Sequence, residues 1–328
     1  MSVTKFPRVS RLGLGVAVAI AALAVLPLFS LPGFVFRILA VTFMYVVMAE
    51  SFNWVGGYAG YVSLGNAAFF GIGAYTTAIL LRDYGLSPFL TMFLGAIIAM
   101  VLAWGIGLST LKLRGSYFTL TTLAVTLLLG QMFMGLENLT GGGRGIYNLH
   151  ARELTPAQEP AAFYLIFLAL MIGSIVMSYR IENSCLGLRL MAIRENEDAA
   201  VSLGVEATKL KSTVFAISAF FLGVAGGIYS SFLSYVNPDI AYGVLTTVTP
   251  VLMAILGGRG TWLGPVIGAF ILDLSRQYLS FLIMSELNLL VFGGALIIVI
   301  LVLPAGLIGF FAKLLRGLRV SARGQESK

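Results

Sequence analysis

The sequence predicts an all-α polytopic membrane protein of about ten transmembrane helices, with glycine-rich broken segments and both termini in the cytoplasm. Two observations carry the fold class. Of the 328 residues, 59% are hydrophobic and only 11% charged, and runs such as LGLGVAVAIAALAVLPLF far exceed a soluble core strand. A third observation, the placement of Lys and Arg, carries the orientation.

A span needs about 20 apolar residues. In chain order the runs fall at 12–29, 34–55, 64–81, 88–110, 116–136, 161–179, 212–236, 244–256, 265–283 and 287–303. The first follows a basic start at Lys5, Arg8 and Arg11, so residues 5–29 imitate a signal peptide. Keeping them as a span suits the charge count better. The second carries Arg37, near enough to the outer boundary to snorkel, and Glu50 near its inner end without an evident local partner. The eighth is short and interrupted by glycine. On the ninth, Asp273 and Arg276 are three apart and meet on one helix face, as a self-neutralising buried pair or as part of a water-filled path.

Cytoplasmic loops retain Lys and Arg. With the N-terminus inside, only Arg37, Arg82, Arg144, Arg152 and Arg276 of the 21 basic residues stay outside or within spans. The net charge of +7 is thus a topology signal, and no nucleic-acid patch is needed to explain it. The chain divides into a cytoplasmic segment 1–11, a membrane domain 12–312 and a basic tail 313–328. Cys185 and His150 are the only residues of their types, which excludes disulfide frameworks and His/Cys metal clusters within one chain. No lysine follows a glycine, so no Walker A loop is present and any ATP used is bound elsewhere.

Two loops stand out. The outer one, 137–160, is too polar and glycine-rich to cross the membrane, and at about 24 residues it exceeds the usual connection. It reads as a flexible connector or as a functional loop. The cytoplasmic one, 180–211, sets a charged segment between apolar stretches. Within it Asn196 can N-cap a short helix, Glu197 and Asp198 suit its first turn, and Gly204 supplies a left-handed stop. So short a helix persists only when docked on its own chain or on a partner. The plain alternative is a solvated linker.

Glycine-rich breaks interrupt the apolar pattern at 56–66 and 257–265. Each follows a span running inward and precedes one running back, as equivalent parts of a loose internal duplication would. Irregular backbone at membrane depth is tolerated where protein buries it or a cavity hydrates it, and in transporters it marks binding regions. Glycines that merely allow close helix packing are the alternative. On the first reading Glu50, Asn53, Tyr58, Ser63 and Asn66 lie at or beside the permeation route, Glu50 and Asn53 sharing a face. On the second, these polar groups satisfy one another between helices.

NWVGGYAGYVSLGNAAFFGIGAYTTAIL at 53–80 resembles the signature of permease subunits of branched-chain amino acid ABC importers. LRGSYFTLTTLAVT (113–126) with LTGGGRGI (139–146) is similar to the LivM-type subunit more than to its LivH-type partner. Residues 188–229 resemble the family's coupling loop and following span, and LGGRGTWLGPVIGA (256–269) and LPAGLIG (303–309) complete the pattern. The resemblance implies half of a translocation path for branched-chain amino acids or another small polar solute such as urea. It also implies a bacterial cytoplasmic (inner) membrane location and no bond chemistry in this chain. The implied partners are a second, LivH-type permease, two ATPase subunits that bind ATP and Mg, and an external solute-binding protein. Asp198-Ala199-Ala200-Val201-Ser202-Leu203-Gly204 fits the family's Glu-Ala-Ala-x-x-x-Gly coupling segment with Asp in the Glu position. By resemblance Arg194, Glu197 and Asp198 would face the ATPase, Ala199 and Ala200 would allow close approach, and Gly204 would turn the chain back. Many relatives carry His where this chain has Asn66, which hydrogen-bonds but cannot titrate.

Two rival classes remain. A secondary transporter would use Glu50, Asp273 and Arg276 as an ion-coupled site. An intramembrane enzyme would need a nucleophile and base that are not visible.

Overall fold

A computed structural model describes residues 9–29, 32–113, 115–147, 149–150, 155, 158–282, 293–294 and 306–309. Most of the predicted tenth span and of the segment 1–11, and all of the tail 313–328, lie outside the described residues. In chain order the helices are α1 (Val9–Val25), α2 (Gly33–Phe52), α3 (Asn66–Tyr84), α4 (Pro88–Thr110), α5 (Ser116–Gly135), α6 (Glu137–Thr140), α7 (Glu159–Glu182) and α8 (Cys185–Glu195). They continue with α9 (Glu197–Ser202), α10 (Ala207–Leu233), α11 (Pro238–Ala241), α12 (Val244–Gly257) and α13 (Gly264–Leu282). Two-residue strands β1 (Ile146–Tyr147) and β2 (Tyr235–Val236) pair antiparallel.

Six described segments are long and apolar enough to cross a membrane: Gly33–Tyr58, Pro88–Thr110, Ser116–Gly135, Glu159–Glu182, Ala207–Leu233 and Pro238–Gly257. The predicted first, third and ninth spans are helical as α1, α3 and α13. They fall short of that class because α1 has 17 residues and the other two carry Asn66, Arg82, Asp273 and Arg276. The short eighth span gains α11 ahead of it, so the stretch from Pro238 to Gly257 reaches 20 residues.

Small residues decide the packing. α10 lies most broadly on α4 and α3, and a Cβ on Gly226 would stand 1.9 Å from the Phe70 carbonyl oxygen of α3. Only hydrogen there lets the two backbones meet, the usual device where lipid offers no hydrophobic drive for association. The opposite faces of α4 and α5 expose Leu90, Ile97, Val101, Leu120 and Leu128, as a bilayer permits.

Connections gather at two ends. The breaks after α2 and α12, the α4–α5 turn, α8 and α9 share one end with Lys112, Arg189, Arg194, Lys209 and Arg259. At the other end β1 and β2 join the α6–α7 loop to the α10–α11 turn, Tyr147 stacks on Tyr235 at 4.4 Å, and Leu81, Ile146, Val236 and Tyr242 form a small core. The described part of the 137–160 loop is therefore docked on the molecule by this pairing.

The predicted 180–211 loop is shorter in the structure, because α7 runs to Glu182 and α10 begins at Ala207. Charge misled the boundary. Lys209 pairs with Glu206 across the first turn at 3.0 Å, and Lys211 is buried within the helix.

Candidate functional site

α9 forms where its sequence places it. Asn196 Oδ1 accepts the Ala199 backbone N–H at 3.0 Å, Glu197 and Asp198 occupy the first turn, and Gly204 stops the chain at φ +87°. A single helix of six residues is not self-sustaining. Here Ala200 seals it by entering a small core with Ile193 and Ala207. Asp198, Ala199, Val201 and Leu203 remain exposed, Leu203 by 86%. The exposed surface of α9 thus combines a carboxylate, a small residue and the apolar side chains of Val201 and Leu203.

Two residues expected to face the ATPase also make contacts within the chain. Glu197 accepts from Lys211 Nζ at 2.7 Å and from the Tyr61 hydroxyl. Lys211 also donates to the Leu111 carbonyl at 2.9 Å and lies 4.0 Å from the Tyr61 ring centroid. A lysine that is 1% exposed requires such partners, since an unpaired buried charge is prohibitive. Arg194, on the last turn of α8, donates through Nη1 to the Gly57 carbonyl at 2.9 Å.

That carbonyl belongs to a junction of the two glycine-rich breaks. α2 continues as a π-helical turn over Asn53–Tyr58, a form that clusters at functional sites. Asn53 Nδ2 donates to the Thr261 carbonyl at 3.0 Å, and its Oδ1 accepts the Gly260 N–H at 2.7 Å. Gly57 must lack a side chain, because a Cβ would lie 1.9 Å from that Oδ1. Glu182, at the end of α7, accepts from Tyr58 at 3.1 Å and from the Trp262 N–H at 2.7 Å. The breaks thus touch each other, but their conformations differ: the first is a π-turn followed by an extended stretch, the second a tight turn with positive φ at Gly258 and Gly260.

Glu50 has a partner that spacing could not show, because it comes from another helix. Ser178 of α7 donates to Glu50 while accepting the Trp54 indole N–H at 2.5 Å. Glu50 Oε1 has no hydrogen-bond partner among the described residues. Glu50, Asn53 and Tyr58 therefore lie on one side of the junction, against α7 and the second break. Ser63 and Asn66 lie apart from them. There the extended strand of chain is held by α5: Thr119 donates to the Val62 carbonyl at 2.8 Å, Thr122 accepts the Leu64 N–H at 3.0 Å, and Thr126 donates to the Leu64 carbonyl at 3.1 Å. This ladder satisfies backbone groups that have left a helix. Ser63 Oγ accepts the Gly65 N–H at 3.1 Å, and Asn66 Nδ2 has no hydrogen-bond partner among the described residues.

Asp273 and Arg276 do form a pair, at 3.7 Å. The buried Asp273 also accepts from Thr42 at 2.7 Å and Gln277 at 2.5 Å, while Arg276 lies over the Tyr45 ring.

A family model described as the branched-chain amino acid transport system / permease component matches residues 34–301. The chain is 27% identical to the high-affinity branched-chain amino acid transport system permease protein LivM of Escherichia coli K12, over 88% of this chain and 73% of that protein. It is 25% identical to LivH of the same organism over 81% and 91%, and 24% identical to a probable LivM of Methanocaldococcus jannaschii over 81% and 90%. No solved structure matches it. With four-fifths of its length inside that model, this chain belongs to the permease-component family of branched-chain amino acid transport systems.

Proposed function

We propose that the chain is a LivM-type permease subunit of an ATP-binding cassette importer in a bacterial inner membrane. It supplies half of the route for a branched-chain amino acid or a related small polar solute. A LivH-type permease supplies the other half, two ATPases bind ATP and Mg on the cytoplasmic side, and an external binding protein delivers the solute. The observation that carries this reading is α9, capped by Asn196, sealed by Ala200, stopped by Gly204, and presenting Asp198, Ala199 and Leu203 outward. It stands at the end of the molecule with the exposed basic residues, which the positive-inside rule assigns to the cytoplasm. With the ten-span count, both termini lie on that side.

The secondary-transporter alternative has less support, since Asp273 and Arg276 are engaged with Thr42, Gln277 and Tyr45. Uptake assays on the reconstituted complex of two permeases and two ATPases, supplied with the binding protein, separate the two. ATP without an ion gradient should drive accumulation of leucine or of the binding protein's ligand. Uptake by this chain alone under an ion gradient, indifferent to ATP, would overturn the proposal.

A further inference from the structure

The coupling helix and α8 just before it are each joined to the first glycine-rich break, and both joints are made by residues expected to face the ATPase. Arg194 grips the Gly57 carbonyl, and its aliphatic stem covers Gly60, where an added Cβ would stand 2.6 Å from Arg194 Cγ. Three residues along, Glu197 holds the Tyr61 hydroxyl and the buried Lys211 together. Gly60 lies between the two grips at φ +80°, a conformation that concentrates bending in one residue. Beyond it, chain 62–64 is fixed to α5 by hydroxyls and not by helix hydrogen bonds.

We propose that Arg194 and Glu197 are positioning residues that transmit movement of α9 to the break at 57–65, while Asp198 and Leu203 make the contact with the ATPase. This deepens, and rests on, the assignment of α9 as the coupling helix. The physical argument is one of stiffness. α9 is a single short helix held through Glu197 and Ala200, so a partner that displaces it pulls on α10 through Lys211 and Ala207 and, through Tyr61, on the segment 57–65. Of the two, that segment is the irregular one, where a π-turn and an extended stretch can exchange hydrogen bonds at less cost than a regular helix can. Coupling through such an element requires two arrangements that both sites bias.

The test uses the complete reconstituted transporter with Arg194→Ala, Glu197→Gln and Tyr61→Phe, and reads solute transported per ATP hydrolysed. Binding-protein-stimulated hydrolysis should persist, with transport per ATP lowered at least tenfold in Arg194→Ala and Glu197→Gln. Hydrogen exchange of residues 57–65 with and without trapped nucleotide provides the second reading. In the parent the nucleotide should change exchange there, and in the variants that difference should vanish even where the basal exchange rises. A merely structural role would raise exchange in both states and keep the difference, which overturns the proposal, as does parental transport per ATP. Leu203→Glu tells the two readings apart. If it abolishes transport while Arg194→Ala and Glu197→Gln do not, only transmission fails; if it too is without effect, the coupling assignment fails as well.

Discussion

Arg194 and Gly57 are 137 positions apart in the chain, yet the guanidinium of one donates to the carbonyl of the other at 2.9 Å. This contact joins the charged inner segment to the point where the second span loses its helical regularity. Several consequences can be measured.

Gly204→Val should fold and insert but lose coupled transport. Nothing lies within 4 Å of an added Cβ, so the cost is purely conformational: a β-branched residue at φ +87° is disfavoured by roughly 1–2 kcal/mol, enough to fray the end of so short a helix. Transport at matched expression measures it, and the parental rate would contradict the role of the turn.

Asn53→Leu should destabilise the assembled protein by about 1–3 kcal/mol, because it leaves the Gly260 N–H and the Thr261 carbonyl without their partner at a partly buried junction. Asn53→Asp keeps the acceptor but loses the amide donor and sets a carboxylate oxygen against the Thr261 carbonyl at a buried position, so it should cost at least as much. Thermal unfolding in detergent ranks the two, and an Asp variant clearly more stable than the Leu variant would contradict the role of the donor.

Gly226→Ala and Gly105→Ala should diverge. A Cβ at 226 meets the Phe70 carbonyl oxygen at 1.9 Å and should cost about 1–3 kcal/mol by forcing α3 and α10 apart, whereas one at 105 meets nothing within 4 Å. Comparable stability of the two variants would refute the close contact.

The exposed Cys185 should react with a membrane-impermeant maleimide only in inside-out vesicles. With Cys185 replaced by Ser, Asp239→Cys, exposed at the opposite end, should react only in right-side-out vesicles. Both labels reacting from one side would overturn the topology.

Much of this was legible in the sequence because it depends on near neighbours. The Asn196 cap, the Gly204 stop and the Asp273–Arg276 pair each lie within one or two helical turns. The apolar runs likewise marked the helices, with errors where Lys211 extended α10 past its expected start. What sequence alone could not show was made by distant residues. The Ser178 partner of Glu50, the threonine ladder beneath 62–64 and the contacts of Arg194 with Gly57 and of Glu197 with Lys211 all depend on which helices become neighbours. A charged residue in a polar loop reads as solvated until a buried lysine is found beneath it.

The central claim is that α9 is the surface a partner ATPase grips, and a photo-cross-linking amino acid at Leu203 tests it most directly. In the assembled, ATP-hydrolysing transporter, a benzophenone at position 203 should yield an adduct with the ATPase subunit, and one at Leu90, on the exposed face of α4, should not. An active complex in which position 203 cross-links to lipid alone, or to nothing, would contradict the account.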